Sequence, residues 1–325
     1  MENVVETFDL SKRYNGRFVV DHVNIHIPAG SVYGFVGENG SGKTTIMRLL
    51  MGLANPTEGS YKLFDLDNND RHIYEVRKKI SAIVEAPSLV PTMTAKQNLK
   101  YACLYYGIKD ADQVIEESLR SVGLGDTGSK KVKNFSLGMR QRLGIAILLL
   151  NKPELMFLDE PMNGLDPSGV AELRDLIIEL NKKGITFLIS SHILSELEKV
   201  ATTWGFISHG KLLQEISASD LAAHCDKSTE LRAADIHALE EAVKAIGITN
   251  YVATPISIKI KQDVNPTQLL TSLAQKGVAV TDISTTGTSV EEYYLNLKRD
   301  ALKMLNIIIY LQSNLSNILQ HLFRL

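Results

Sequence analysis

The sequence predicts an α/β domain over residues 1–218, a small α+β domain over 219–300, and an amphipathic helical tail at 301–325. Three observations carry that expectation. Val32–Val36, Leu155–Leu158 and Ile185–Ile189 are continuously apolar rather than alternating, as strands buried on both faces of a parallel sheet must be. A glycine-rich loop joins the first of these strands to a helical pattern at Thr44–Leu53. After about Ser217 the chain changes to shorter strands interleaved with helices.

In chain order, Phe18–Val20 and Val23–Ile27 are short β-prone runs, and Pro28-Ala29-Gly30 is a turn leading into Val32–Val36. A mostly helical stretch spans about Thr94 to Leu150. Leu155–Leu158 and Ile185–Ile189 flank the amphipathic run Ser168–Asn181, the pattern of parallel strands with a crossover helix. In the second domain, Glu230–Arg232, Val252–Ile260 and Val278–Ile283 read as strands. Ile236–Ile246, Thr267–Gln275 and Val290–Leu297 read as helices. Asn265-Pro266 is a helix start, and Ser289 with Glu292 has capping-box spacing.

Composition narrows the function classes. Hydrophobic residues make up 44% and charged residues 22%, an ordinary globular balance that excludes a disordered or fibrous chain. With 35 basic against 37 acidic residues the net charge is −2, so no bulk attraction to nucleic acid is expected. Cys103 and Cys225 are far apart in sequence, which fits a reducing, intracellular setting. The apolar runs Ile145–Leu150 and Ile307–Leu311 fall well short of the ~20 residues a spanning helix needs. The N-terminus has no apolar core behind a basic start. The expectation is a soluble chain that reaches a membrane only through a partner.

The chemistry begins at Gly37-Glu38-Asn39-Gly40-Ser41-Gly42-Lys43-Thr44-Thr45, which matches G-x-x-x-x-G-K-[ST] between a strand and a helix. Glycines let the backbone wrap so that its N–H groups and the helix N-terminus face phosphates. Lys43 then reaches the β- and γ-phosphates, and the Thr44 hydroxyl binds Mg²⁺. The second element is Glu154–Glu160, ELMFLDE, a buried strand running into two carboxylates. Asp159 is placed to hold the metal, and Glu160 to accept a proton from the attacking water. The implied cofactors are ATP and Mg²⁺.

Between these lies Phe135-Ser136-Leu137-Gly138-Met139-Arg140-Gln141-Arg142, which resembles the L-S-G-G-Q signature of the ATP-binding cassette (ABC) ATPases. Ser136 and Gly138 match; Phe135, Leu137 and Met139 depart. Gly164-Leu165-Asp166 and Ser190-Ser191-His192 follow in the family's order, and Tyr14 stands where the family places an adenine-stacking aromatic. The resemblance covers residues 3–215 and implies a P-loop ABC ATPase domain with a mixed sheet and a helical subdomain.

It further implies a head-to-tail ATP-bound dimer in which Ser136 and Gly138 of one copy cap the γ-phosphate held by the other copy's Lys43. His192 would touch that phosphate and Asp166 would sit at the seam. Other readings remain open here: Ser136 also suits a helix N-cap, and Tyr14 also suits core packing.

The family carries a glutamine after the strand that follows the phosphate loop; here Ile83-Val84-Glu85-Ala86-Pro87 puts Glu85 in that place. This resembles transporters that give bacteria immunity to lantibiotics and similar peptides. Glu85 reads either as an oxygen ligand for Mg²⁺ or as an ordinary solvated acid. The second domain resembles the C-terminal extension of bacitracin- and lantibiotic-type exporter ATPases, chiefly at Ser289–Tyr294. The resemblance thus implies an ATPase subunit powering a separate transmembrane permease, peripheral on the inner face of the cell membrane. The alternative is a soluble ABC ATPase acting on ribosomes or DNA. The single phosphate loop, the lack of coiled-coil heptads and the slight acidity speak against it.

Overall fold

The structure is a computed structural model that describes residues 2–304, apart from 226, 227 and 263. The expected tail at 301–325 lies outside the described residues beyond Met304. The chain divides into two compact units, Met1–Ala218 and Ser219–Leu325.

In the first unit the chain runs β1 (Asn3–Tyr14), β2 (Arg17–Val23), β3 (His26–Pro28), β4 (Val32–Val36), α1 (Lys43–Leu50), β5 (Glu58–Leu63) and β6 (Leu66–Asp67). It continues through α2 (Ile73–Arg77), β7 (Ile80–Ile83), α3 (Ala95–Tyr106), α4 (Ala111–Ser121), α5 (Leu137–Leu149) and β8 (Leu155–Asp159). It closes with α6 (Pro167–Lys182), β9 (Thr186–Ser191), α7 (Leu194–Leu197), β10 (Thr203–Ser208) and β11 (Lys211–Ser217).

Six strands form one sheet in the order β11-β10-β4-β9-β8-β7. All neighbours are parallel except β10 and β11, so the sheet is mixed. Every residue of β4, β8 and β9 is buried, which is why their sequences are mainly apolar rather than alternating, with polar residues chiefly at the strand ends (Asp159, Thr186, Ser190, Ser191). The parallel arrangement brings the carboxyl ends of β4, β8 and β9 to one edge, where chains leave the sheet and ligands bind in open α/β folds.

A second sheet, β2-β1-β5-β6 with β3 also on β1, is wholly antiparallel. Its Val5, Leu10 and Tyr61 share one core with Phe35, Phe157, Ile46 and Leu49 of the first sheet and α1. Beyond the sheets stand α3, α4 and α5. Thr94 and Gln97 form a reciprocal capping box at the start of α3.

The second unit runs α8 (Ala218–His224), β12 (Ser228–Ala233), α9 (Ile236–Ala245), β13 (Tyr251–Ala253), β14 (Ile258–Ile260), α10 (Pro266–Gln275) and β15 (Val280–Thr286), then a helix at 290–304. The β12–β15 part is a β-α-β-β-α-β unit with strand order β13-β14-β12-β15, all antiparallel. Leu231, Ile258 and Ile260 pack with Leu239, Val243, Leu269 and Leu273 of the two helices. One expectation fails here: Val252–Ile260 is a hairpin, not one strand. Pro255 has no N–H for a ladder, and Thr254 closes the turn. Its N–H donates to Ser257 O at 2.8 Å, and its Oγ1 accepts from Ser257 N at 3.0 Å.

Candidate functional site

The five buried residues of β4 deliver the chain to the sheet edge, where Gly37–Gly42 turns it into α1. Gly42 lies at φ +109°, and a Cβ there would stand 2.7 Å from Val19 O. Only glycine lets the loop press this closely on β2. Gly210, in the turn between β10 and β11, donates its N–H to Ser41 O at 3.0 Å and ties the loop from the other side. Lys43 is 5% exposed; its Nζ donates to Gly37 O at 2.6 Å and Glu38 O at 3.1 Å. The ammonium is thus folded under the loop whose N–H groups it complements.

β8 and β9 run in register with Asp159 opposite Ser190. Both oxygens of the buried Asp159 accept hydroxyl protons: Oδ2 from Thr44 Oγ1 at 2.7 Å and Oδ1 from Ser190 Oγ at 2.6 Å. Ser190 Oγ also accepts the Glu160 N–H at 2.8 Å. That bond helps hold Glu160 in the left-handed region at φ +48°, an uncommon conformation for a non-glycine residue. The Glu160 carboxylate stands between the Lys43 ammonium and the His192 imidazole. Lys43 Nζ is 3.5 Å from Oε1, and His192 Nδ1 is 2.7 Å from Oε2.

Asn39–Thr45, Val19, Asp159 and Glu160 line a cleft of about 160 Å³. Two buried atoms at this site, Ser41 Oγ and Glu160 Oε1, have no hydrogen-bond partner. Buried polar atoms left unpaired call for a ligand or water, and here one is a hydroxyl donor and the other a carboxylate acceptor. The donor set fits a phosphate chain, with a hard cation beside Thr44 and Asp159.

The remaining expected residues lie elsewhere. Ser136 caps α5, accepting Met139 N–H at 3.2 Å, and Asp166 caps α6, accepting Gly169 N–H at 3.3 Å. Gly138 brings these two helix starts together: a Cβ on it would lie 3.5 Å from Gly169 Cα. Ser136, Gly138 and Asp166 therefore form one cluster, apart from the residues that line the phosphate cleft. Tyr14 is half-exposed at the end of β1, with Lys12 Nζ 5.1 Å from its ring centre. Glu85 is exposed, and its Oε1 accepts from Arg48 Nη2 at 2.7 Å.

The role of Ser190, named in the sequence only within Ser190-Ser191-His192, and one groove escaped the sequence. Ser190 locks Asp159 and Glu160 together, and its signal was a hydroxyl directly after the apolar run Ile185–Ile189. A groove of about 260 Å³ runs between the loop after β7 and α5, lined by Val84, Pro87, Leu89, Tyr106, Ile147 and Leu148 among others. On α3, which supplies Tyr106, the side chains of Tyr101, Leu104 and Tyr105 stand exposed.

Such a cleft fits a phosphate chain, and the loop between β4 and α1 gives the first unit the form of a P-loop nucleotide-binding domain. Residues 20–163 match the family model described as ABC transporter. BcrA, a bacitracin transport ATP-binding protein of Bacillus licheniformis, is 40% identical over 301 residues, covering 91% of this chain and 98% of that protein. SrtF, a lantibiotic transport ATP-binding protein of Streptococcus pyogenes, is 44% identical over 207 residues, 64% of this chain and 88% of SrtF. Among solved structures, CbiO1 of Clostridium perfringens, part of an ABC transporter complex, superposes with a TM-score of 0.63 at 24% identity. It covers 69% of this chain and 92% of that one, a likeness of fold. The chain belongs to the ATP-binding proteins of ABC transporters and is an ATPase. No described helix is long and apolar enough to cross a membrane.

Proposed function

We propose that this chain hydrolyses ATP to power a separate membrane permease that exports a peptide antibiotic of the bacitracin or lantibiotic kind, or a related hydrophobic compound. The observation that carries the chemistry is the Glu160 carboxylate, set between Lys43 and His192 at the mouth of the phosphate loop. The loop N–H groups of Gly37–Thr45 and the Lys43 ammonium bind the phosphates, and Thr44 with Asp159 would hold Mg²⁺, which offsets charge on the phosphate oxygens. Glu160 takes the proton of the attacking water while His192 fixes the carboxylate's orientation.

Two copies associate head to tail when ATP is bound, with Ser136, Gly138 and Asp166 at the seam and Tyr14 stacking on the base. The exposed α5 start, held by the Ser136 cap, supports that reading. The permease supplies an apolar cytoplasmic segment to the groove beside Tyr106, whose ring the exposed Tyr105 meets edge-on. The chain then works at the inner face of the membrane, held there by the permease. The names of BcrA and SrtF support the cargo.

The test is growth of a sensitive host that expresses this chain together with a candidate permease from the same source. Resistance to bacitracin or a lantibiotic should rise, and Glu160→Gln should remove the gain. Unchanged resistance to both antibiotic classes, with the two proteins expressed and associated, refutes the cargo assignment.

A further inference from the structure

The register of β7 on β8 ends with Ile83 opposite Leu158. The chain after β7, Val84 and Glu85, therefore leaves the sheet at the edge where β8 runs into Asp159 and Glu160, neighbouring strands of a sheet lying roughly 4.8 Å apart. That puts the backbone of a third carboxyl residue at the sheet edge that carries the candidate phosphate cleft, with Glu85 itself exposed and outside the cleft lining. Its backbone is unusual: Glu85 sits at φ +67°, and the Ala86 N–H donates to Val84 O at 2.9 Å, closing a γ-turn of the rare, strained kind. Within that turn the carboxylate accepts a 2.7 Å bond from the guanidinium of Arg48. Arg48 stands in the last turn of α1, the helix that begins with Lys43 and Thr44. Two residues beyond Glu85, Pro87 packs on α5, where a Cβ on Gly144 would lie 2.6 Å from the Pro87 ring.

We infer that Arg48 is the positioning residue and counter-ion for Glu85, holding its carboxylate on the α1 side and so lifting its repulsion from the triphosphate. The inference rests on the reading of the cleft as an ATP site. Like charges beside a polyanion oppose its binding, and a neighbouring arginine offsets one of them without entering the cleft. Both side chains are solvent-exposed, Arg48 to about half, so the pair contributes little to folding, and variants at either position should fold.

The test is ATP binding by the full chain, followed by calorimetry at low and high salt. At low salt Arg48→Ala should weaken ATP by roughly threefold, the scale of one exposed charge pair, and Arg48→Lys should bind as the unaltered chain does. The loss should shrink at about 0.5 M salt, where the Debye length is only a few ångströms. In a Glu85→Gln background the same Arg48→Ala change should have no effect, because no carboxylate remains to be offset. An equal loss in both backgrounds would mean that Arg48 acts on the phosphates or on α1 directly, and would overturn the inference. Unchanged affinity of Arg48→Ala at low salt would overturn it too. The unaltered chain's own ATP affinity tests the cleft reading separately.

Discussion

His192 Nδ1 lies 2.7 Å from Glu160 Oε2, and the His192 N–H reaches the same oxygen at 3.2 Å. One carboxylate oxygen is thereby fixed twice by a single residue, while the other, Oε1, faces Lys43 and has no hydrogen-bond partner. A base held at one oxygen and free at the other is oriented yet able to take a proton.

Glu160→Gln removes the proton acceptor and leaves the cleft's shape. Turnover should fall roughly 10²-fold or more, the scale of losing a general base, with ATP binding retained by calorimetry. Hydrolysis near the normal rate would show that another group accepts the proton.

His192→Ala should slow turnover less than Glu160→Gln does, because the histidine positions the base rather than replacing it. Steady-state kinetics should show the loss in kcat with KM for ATP changed little. A loss confined to KM would assign His192 to binding that is equal in the ground and transition states.

Lys43→Ala takes away the cation aimed at the phosphates and frees the carbonyls of Gly37 and Glu38. Tight ATP binding should vanish while circular dichroism stays unchanged, since the loop's path is set by Gly42 and by the Gly210–Ser41 tie. Intact ATP affinity by calorimetry would refute the role.

What could be read in advance follows from burial. β4, β8 and β9 have mainly apolar interiors because both faces are covered, so the strand, the phosphate loop and the two acids stand out in the sequence. β1 does not. Asp9 at φ +46° and register shifts around Lys12 break its alternation, so Asn3–Tyr14 carries no clean period of two. β1, which pairs with β2, β3 and β5, was hidden for that reason, although the β-prone runs Phe18–Val20 and Val23–Ile27 already marked β2 and β3. Val252–Ile260 failed through Pro255, a residue that stops a ladder and leaves the hydrophobicity of its neighbours intact. The expected roles of Ser136 and Asp166 concern contacts with a second copy, whereas in one chain both side chains cap helices.

Tyr33 offers a pH readout of the central sheet. Its hydroxyl donates to Glu215 Oε1 at 2.6 Å, and Glu215 Oε2 meets His26 Nδ1 at 2.8 Å, joining β4, β11 and β3. Burial above all, then the Glu215 charge and hydrogen bond, raise the tyrosine's pKa well above its ordinary 10.0. Above that pH the unfolded chain sheds a proton that the folded chain retains, so this contribution to stability is whole below pH 10 and declines as pH climbs toward the folded value. Tyr33→Phe should flatten the alkaline part of the stability curve and cost about 1–2 kcal/mol at neutral pH, both read from urea midpoints. An unaltered alkaline slope would show that Tyr33 does not titrate with unfolding.

The left-handed backbone at Glu160 sets two kinds of selection against each other. Glycine there would relax a conformation that costs a residue with a Cβ about 1–2 kcal/mol. A library screened for heat resistance alone should therefore enrich Glu160→Gly, and the survivors would bind nucleotide and turn none over. A lineage that keeps glutamate at this position against that drift is one in which hydrolysis is still being used.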